Sequence, residues 1–453
     1  MAQALGTCLG RGALLLGSLP QQPNARRGRR RSDVIDQPLL FPPTEQALHA
    51  RLDAIDPRAY ARTRNHLEGA VTRLSPWITH GCLSLRDVAR AIAATHDLPV
   101  QHKLVYELGW RAWFHHAWSH LGDDILQSLH QGPLPDALYL RELPDDIRAG
   151  RTGVPVIDQA VRTLYRDGWL HNHARMWLAS YVVHVRKVHW RAGADWMIAC
   201  LLDGDLASNH LSWQWIAGTG SHKPYLFNAE NVARYAPPDW HSPGTIIDTD
   251  YGSLDRLART PRRGLHNTPA NTPATTLPGS TFHSTSTPTL YTEPPPATGF
   301  NAPDPSTIRG QTVWLVHPWS LRLMQDLAAP QADRPPVVIA VIDKDTHAAW
   351  PWTAARWAFV TERMTALAAL RWFGSRSELQ KALAGASTVR YLPNPHFRTL
   401  DGAETLGIKT APAPEQPLFP EPGRACSSFS QYWHKVTKNA TTLRALCALD
   451  STA

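Results

Sequence analysis

The sequence predicts a multidomain protein of the α plus α/β type, an all-helical domain of roughly 190 residues followed by a small α/β domain of about 110. Two changes of pattern predict it. Between Thr44 and Tyr235 large apolar residues recur mostly at spacings of three and four, whereas after Arg309 they come in short continuous runs of strand length. Between these regions, residues 237–309 are rich in Pro, Thr, Ser and Asn and poor in periodic apolar positions.

Residues 1–40 hold a short apolar stretch, Ala13 to Leu19, and then the basic run Arg26-Arg27-Gly28-Arg29-Arg30-Arg31. A secretory signal carries its positive charge first, so the order is wrong for one, although Arg11 sits just ahead. The segment reads as a basic flexible arm that attracts phosphate. A solvated tail, or a start codon placed too early, is the alternative reading.

In residues 41–236, Leu104, Leu108, Trp110, Trp113, Phe114 and Trp118 give one helix a continuous apolar face. Ile157 to Leu164, Ala174 to Val188 and Asp195 to Leu202 carry the same signal, with connectors such as Gly150 to Pro155 between them. Residues 237–309 are expected to be a Pro/Thr-rich linker, because a loop of that length inside a compact domain is uncommon. In residues 310–421, Thr312 to Val316 and Pro336 to Ile342 read as strands, and Ser320 to Ala328 and Thr353 to Ala369 as helices. Arg376 to Leu383 and Ser387 to Leu392 supply a further helix and strand, so a parallel sheet covered on both faces is expected. Residues 422–453 form a tail with a helix in His434 to Leu449.

Composition sets the outer limits. Apolar residues make up 43% of the 453 positions and there are 18 Trp, which excludes a disordered chain. A net charge of +8 admits a polyanionic partner without requiring one. The five Cys are scattered, with no CxxC, so neither a disulfide framework nor an iron–sulfur cluster is indicated and no metal site is expected. A reducing cytoplasm fits, and no apolar run is long enough to span a bilayer.

Four constellations carry chemistry, all in the helical region. Thr72-Arg73-Leu74-Ser75-Pro76-Trp77, followed by His80-Gly81-Cys82-Leu83-Ser84, places hydroxyls and free amides at a helix start, where a phosphate can be held. Capping by Ser75 with Pro76 at the first position accounts for it equally well. Glu107 and Trp110, in Glu107-Leu108-Gly109-Trp110-Arg111, lie one turn apart and can share a face, although a surface charge beside a core indole is the plainer reading. The third is Gly168-Trp169-Leu170-His171-Asn172-His173-Ala174-Arg175-Met176. The fourth runs Asp203-Gly204-Asp205 through Asn209 to Trp213-Gln214-Trp215 and Gly218-Thr219-Gly220. Its paired Asp lack the oxygen cage a cation would need.

Together, in this order and spacing over Tyr60 to Asn228, these segments resemble the FAD-binding domain of the photolyase and cryptochrome family. The resemblance implies that Tyr60, Arg64, Thr72, Arg73, Leu74 and Ser75 bind FAD, the last four at its diphosphate, with Arg111 reaching the flavin. It places Trp169, Asn172 and Arg175 beside the flavin, Asp203 paired with Arg175, Asp205 at the ring's polar edge and Asn209 facing N5. It makes Glu107, Trp110 and Met176 the lesion-facing residues, and Met176 favours cyclobutane dimers over (6-4) products. Trp213 and Trp190 match the inner and middle members of the family's electron-transfer chain. The outer member has no match near Ala137, although Tyr139 is close by.

Departures are specific: Val71 stands where a second hydroxyl is usual, Ala112 where a Glu is, and His173 where an Arg is. The family's α/β domain, Rossmann-like and carrying an antenna chromophore, normally comes first. Here Val313 to Leu323 and the Arg356-Trp357-Ala358-Phe359 helix faintly resemble it, which implies a permuted order. A folate or a deazaflavin antenna is implied by the family but assigned to no residue. The function implied is light-driven repair of pyrimidine dimers in DNA by electron transfer from reduced FAD. The alternatives are a cryptochrome-like blue-light photoreceptor and a flavoprotein with a structural or non-photochemical redox role.

Overall fold

The computed structural model describes residues 40–262, 286–322 and 335–449. Almost all of the arm, residues 263–285 of the Pro/Thr-rich stretch and most of the helix expected at Ser320 to Ala328 lie outside them.

The helical part runs through α1 (Glu45–Asp53), α2 (Pro57–Thr63), α3 (Ser75–Thr79), α4 (Leu85–Thr95), α5 (Lys103–Leu121), α6 (Asp145–Arg148), α7 (Pro155–Asp167), α8 (Asn172–Ser180), α9 (Trp190–Cys200), α10 (Leu206–Ala217) and α11 (Ala229–Tyr235). Their boundaries follow local chemistry. Ser84 and Asp87 form a reciprocal capping box at α4, and α7 begins on Pro155 and stops at Gly168. The pattern read through Ala174 to Val188 is broken, because α8 gives way to a π-helical turn at Tyr181–Val185.

Part of the stretch expected to be a linker is structured. Asp250 caps α12 (Tyr251–Arg259), which buries Leu254 and Ala258, and the Lys187 ammonium donates to the carbonyls of Leu257 and Ala258 at 2.6 and 2.8 Å. Further on, β1 (Leu290–Tyr291) and Asn301 pair with the α/β domain.

In that domain β2 (Thr312–Val316), β3 (Val337–Asp343), β5 (Leu370–Gly374), β6 (Thr388–Tyr391) and β7 (Thr410–Pro412) form one all-parallel sheet in the order β5-β3-β2-β6-β7, while β4 (Trp352–Thr353) pairs antiparallel with β1. Short α13 (Lys344–Ala349), α14 (Ala354–Leu367) and α15 (Arg376–Leu383) connect them. The chain order reverses between β2 and β6, which puts the crevice for ligands at the carboxyl ends of those two strands. Beyond it, α16 (Phe429–Thr437) and α17 (Leu443–Ala448) return to the helical part and pack on α5 and α4.

One buried cluster continues from Leu74, Trp77 and Leu104 into Trp314, Trp357 and Phe359 of the α/β domain. Among the described residues no helix is long and apolar enough to cross a membrane.

Candidate functional site

The helical part encloses a cleft of about 330 Å³. Of the residues to which the resemblance gives a role at FAD, the lesion or the electron-transfer chain, Arg64 and Trp190 alone fall outside its lining; Tyr60, Thr72, Arg73, Leu74, Ser75, Glu107, Trp110 and Arg111 all line it. Trp169, Asn172, Arg175 and Met176 come from α8 and its lead-in, and Asp203, Asp205, Asn209 and Trp213 from α10 and the turn before it.

Two segments meet because Gly168 permits it. It has φ +60°, a Cβ there would stand 2.8 Å from Leu202 Cγ, and its carbonyl accepts from the Leu202 amide at 2.8 Å. The Trp169–Met176 and Leu202–Asp205 motifs are thereby set side by side. Arg175 Nη2 donates to both oxygens of Asp203 at 3.0 and 2.7 Å, and its Nε holds the Leu170 carbonyl at 2.9 Å.

Asp205 is more heavily engaged than the resemblance implied. One oxygen caps α10 by accepting from the Ser208 amide at 2.8 Å, and the other faces His115 Nε2 at 2.9 Å and Arg111 at 3.6 Å. Burial would raise its pKa, but His115 and Arg111 outweigh that and hold the carboxyl well below the usual range.

Ser75 is the first residue of α3, not its cap, and its hydroxyl accepts from Trp169 Nε1 at 3.2 Å. Arg73 adopts φ +52° and lies 5.3 Å over the Trp169 ring. An unfavourable backbone at a cleft wall is the kind of strain that accompanies a binding role.

Glu107 accepts from Arg64 Nη1 at 2.8 Å; burial pushes its pKa up against the pull of Arg64. Asn172 donates to Met176 Sδ at 3.4 Å, one turn along α8, and Asn209 donates to the Ala194 carbonyl at 2.9 Å. Trp110 is stacked on Phe429 of α16, ring centroids 3.9 Å apart and 6° from parallel.

Trp213 packs against Gly193, where a Cβ would be 2.4 Å from the indole, and Gly193 is one turn from Trp190 on α9. From Trp190, buried rings lead through His189 to Tyr139 at 5.7 and 6.3 Å, and through the buried His210 to the half-buried Trp350 at 6.1 and 5.7 Å.

Sequence reasoning missed three neighbours of this site. His115 carries no motif signal, and Phe429 reaches Trp110 only through the tertiary fold. Arg356 was read only as the start of a helix with a faint family resemblance, and nothing in that pattern sets it against the Asp203–Asp205 turn. Sequence also gave no sign that His116, His120 and Glu421 bring three ligand atoms within 4.8 Å of one another. The His116 ring is already occupied, its Nδ1 paired with Glu421 at 2.9 Å and its Nε2 accepting from the Cys426 amide at 3.2 Å.

The donor set suits a large anionic cofactor bearing rings. Three guanidinium groups and the hydroxyls of Thr72 and Ser75 can meet a diphosphate, and the buried Ser208 hydroxyl at the cleft has no hydrogen-bond partner among the described residues. The fold and the cleft thus define a helical domain with a lining suited to such a cofactor. Residues 104–242 match the family described as the FAD binding domain of DNA photolyase.

The chain is 37% identical over 155 residues to a deoxyribodipyrimidine photo-lyase of Streptomyces griseus, covering 34% of this chain and 33% of that protein. It is 35% identical over 178 residues to a cryptochrome DASH of Natronomonas pharaonis, covering 36% of each. A solved cryptochrome of Synechocystis sp. PCC6803 is similar at 30% identity over 44% of each chain, with a TM-score of 0.39. The chain thus spans about a third of the length of these curated relatives. Its residues 104–242 carry the FAD-binding domain of the photolyase/cryptochrome superfamily, and a distinct C-terminal α/β domain follows.

Proposed function

We propose that this protein is a light-driven, FAD-dependent enzyme that repairs cyclobutane pyrimidine dimers in DNA. The observation that carries this reading is that Glu107, Trp110 and Met176 open onto the same cleft as Asn172, Arg175, Asp203 and Asn209. A protein that only stores FAD has no use for a carboxyl, an indole and a thioether there.

FAD, when bound and reduced, supplies the light-absorbing electron donor. The chain's own residues do the rest. Trp110 offers a stacking surface for an extruded base, worth about 1–3 kcal/mol per base. Glu107, its carboxyl oriented by the hydrogen bond from Arg64, can meet a base edge of the extruded lesion. Arg175, anchored by Asp203, and Asn209 line the cleft and would favour negative charge on a flavin held there. Trp213 and Trp190 carry electrons inward from Tyr139 or Trp350.

The α/β domain offers a second cavity of about 660 Å³ against the helical part. Trp319, Pro395 and His396 reach it from the carboxyl ends of β2 and β6, where this topology accepts ligands. An antenna chromophore, a folate or a deazaflavin, is proposed there.

The test is repair of a thymine dimer in a short oligonucleotide by the purified, chemically reduced protein, with a dark control. Intact thymines are expected only in the light; FAD-loaded protein that repairs neither duplex nor single-stranded substrate would overturn the assignment. One observation favours a second reading, a cryptochrome-like photoreceptor. Phe429 covers one face of Trp110, as a tail that responds to the flavin's state would.

A further inference from the structure

Arg356 lies on α14 of the α/β domain, yet its guanidinium reaches the helical part. It is 2% exposed, its Nη2 donates to the Gly204 carbonyl at 2.7 Å, its Nη1 to the Ile198 carbonyl at 3.4 Å, and it lies 4.1 Å over the Trp352 ring. Among the described residues its Nε has no hydrogen-bond partner and its guanidinium forms no ion pair. An unpaired charge so deeply buried is strongly unfavourable, and apolar side chains of similar volume commonly hold such a seam at least as well. Hydrogen bonds to two carbonyls therefore do not explain why a cation stands here.

What surrounds it does. Gly204 separates Asp203 from Asp205, and a Cβ on Gly204 would stand 2.4 Å from Arg356 Nη1, so the glycine of this turn makes room for the guanidinium. Burial lowers the Arg356 pKa to about 9, and the acids whose fields work against that are Asp203 and Asp205. Asp203 is matched by Arg175 and Asp205 by His115 and Arg111 from within the helical domain. Arg356 is one positive charge more than these pairs require.

We infer that Arg356, supplied by the α/β domain, is a positioning residue for the cofactor cleft. It fixes the Leu202–Asp205 turn from behind, and its surplus charge favours the anionic, reduced form of the flavin. The inference rests on the FAD reading of the cleft. Its consequence is that the α/β domain is part of the redox site whether or not it carries an antenna.

The test is FAD content and flavin midpoint potential, by spectroelectrochemistry, of the full chain and two variants. Arg356→Met removes the charge at similar volume, and Arg356→Lys keeps the charge. In R356M the ratio of reduced to oxidised flavin at a fixed potential should fall at least tenfold, about 30 mV for a two-electron couple, and R356K should recover most of it. A merely structural role would move stability and FAD retention without this split between the two variants. If R356M does not fold, Arg356→Gln, which keeps donors for the two carbonyls without the charge, replaces it with the same expected shift. FAD-loaded R356M or R356Q at the wild-type potential overturns the inference alone; wild-type protein that takes up no FAD overturns the cleft's reading and this inference with it.

Discussion

Acid should dismantle this protein well above the pH at which its carboxylates titrate. His184, His317, His347 and His396 are buried, and burial lowers their pKa values to about 4, 4, 3 and 3. Two are locked as neutral rings by their partners. His317 accepts from the Trp319 amide and faces the Leu392 carbonyl, and His396 accepts from the Leu206 amide and faces Asn394 Oδ1, so a second proton would set N–H against N–H. His80 is set apart, because both its nitrogens face carbonyls, at 2.6 and 2.9 Å, an arrangement that suits the cation that burial disfavours.

With folded pKa values below the unfolded one, the contribution of the four rings is complete above about pH 6.5 and is lost as pH falls toward their folded values. At pH 5.5 each unfolded imidazole has gained about 1.4 kcal/mol by protonation that the folded ring has not. Four of them amount to about 5–6 kcal/mol, as much as the whole stability of many domains. Urea midpoints at pH 7.5, 6.5 and 5.5, with FAD fluorescence as a second signal, measure the effect. Equal midpoints at pH 7.5 and 5.5 would refute the reasoning, and His396→Gln should remove about a quarter of the loss.

Three further outcomes follow from the cleft. Asp203→Asn leaves Arg175 without its counter-charge and should destabilise the protein by about 3–5 kcal/mol, with FAD lost during purification, read from absorbance ratios. Gly193→Ala forces the Trp213 indole to move and should cost about 1–3 kcal/mol in thermal unfolding. It should also slow light-driven reduction of the bound flavin while leaving dithionite reduction unchanged. Trp110→Ala should weaken binding of a dimer-containing oligonucleotide by about 1–3 kcal/mol at constant FAD content, checked by fluorescence anisotropy at fixed salt.

What could be read from the sequence was what local pattern encodes. The apolar runs at Thr312 to Val316 and Pro336 to Ile342 became β2 and β3 because a strand buried on both faces must be apolar throughout. Strands β5 and β7 were missed; Arg371 and the flanking polar residues dilute the first, and the second is three residues at a sheet edge. In residues 237–309 the Pro and Thr of the centre masked the cap at Asp250 and the Leu254 and Ala258 positions of α12. The motif residues were legible because each contributes its own type at its own spacing. Their partners from elsewhere in the chain, Arg356 and Phe429, were not, since no periodicity marks a contact made only when two elements dock.

The return of α16 to α5 also sets an order of assembly. About 320 positions separate Trp110 from the Phe429 ring stacked on it, and at about 5–20 residues per second a ribosome needs tens of seconds to make the intervening chain. Through that interval Tyr106, Trp110 and Trp113 lack the rings of Phe429 and Trp433 that cover them in the finished protein. The nascent helical domain therefore presents an aromatic patch of the sort chaperones recognise, beside a cleft whose own lining is already synthesised.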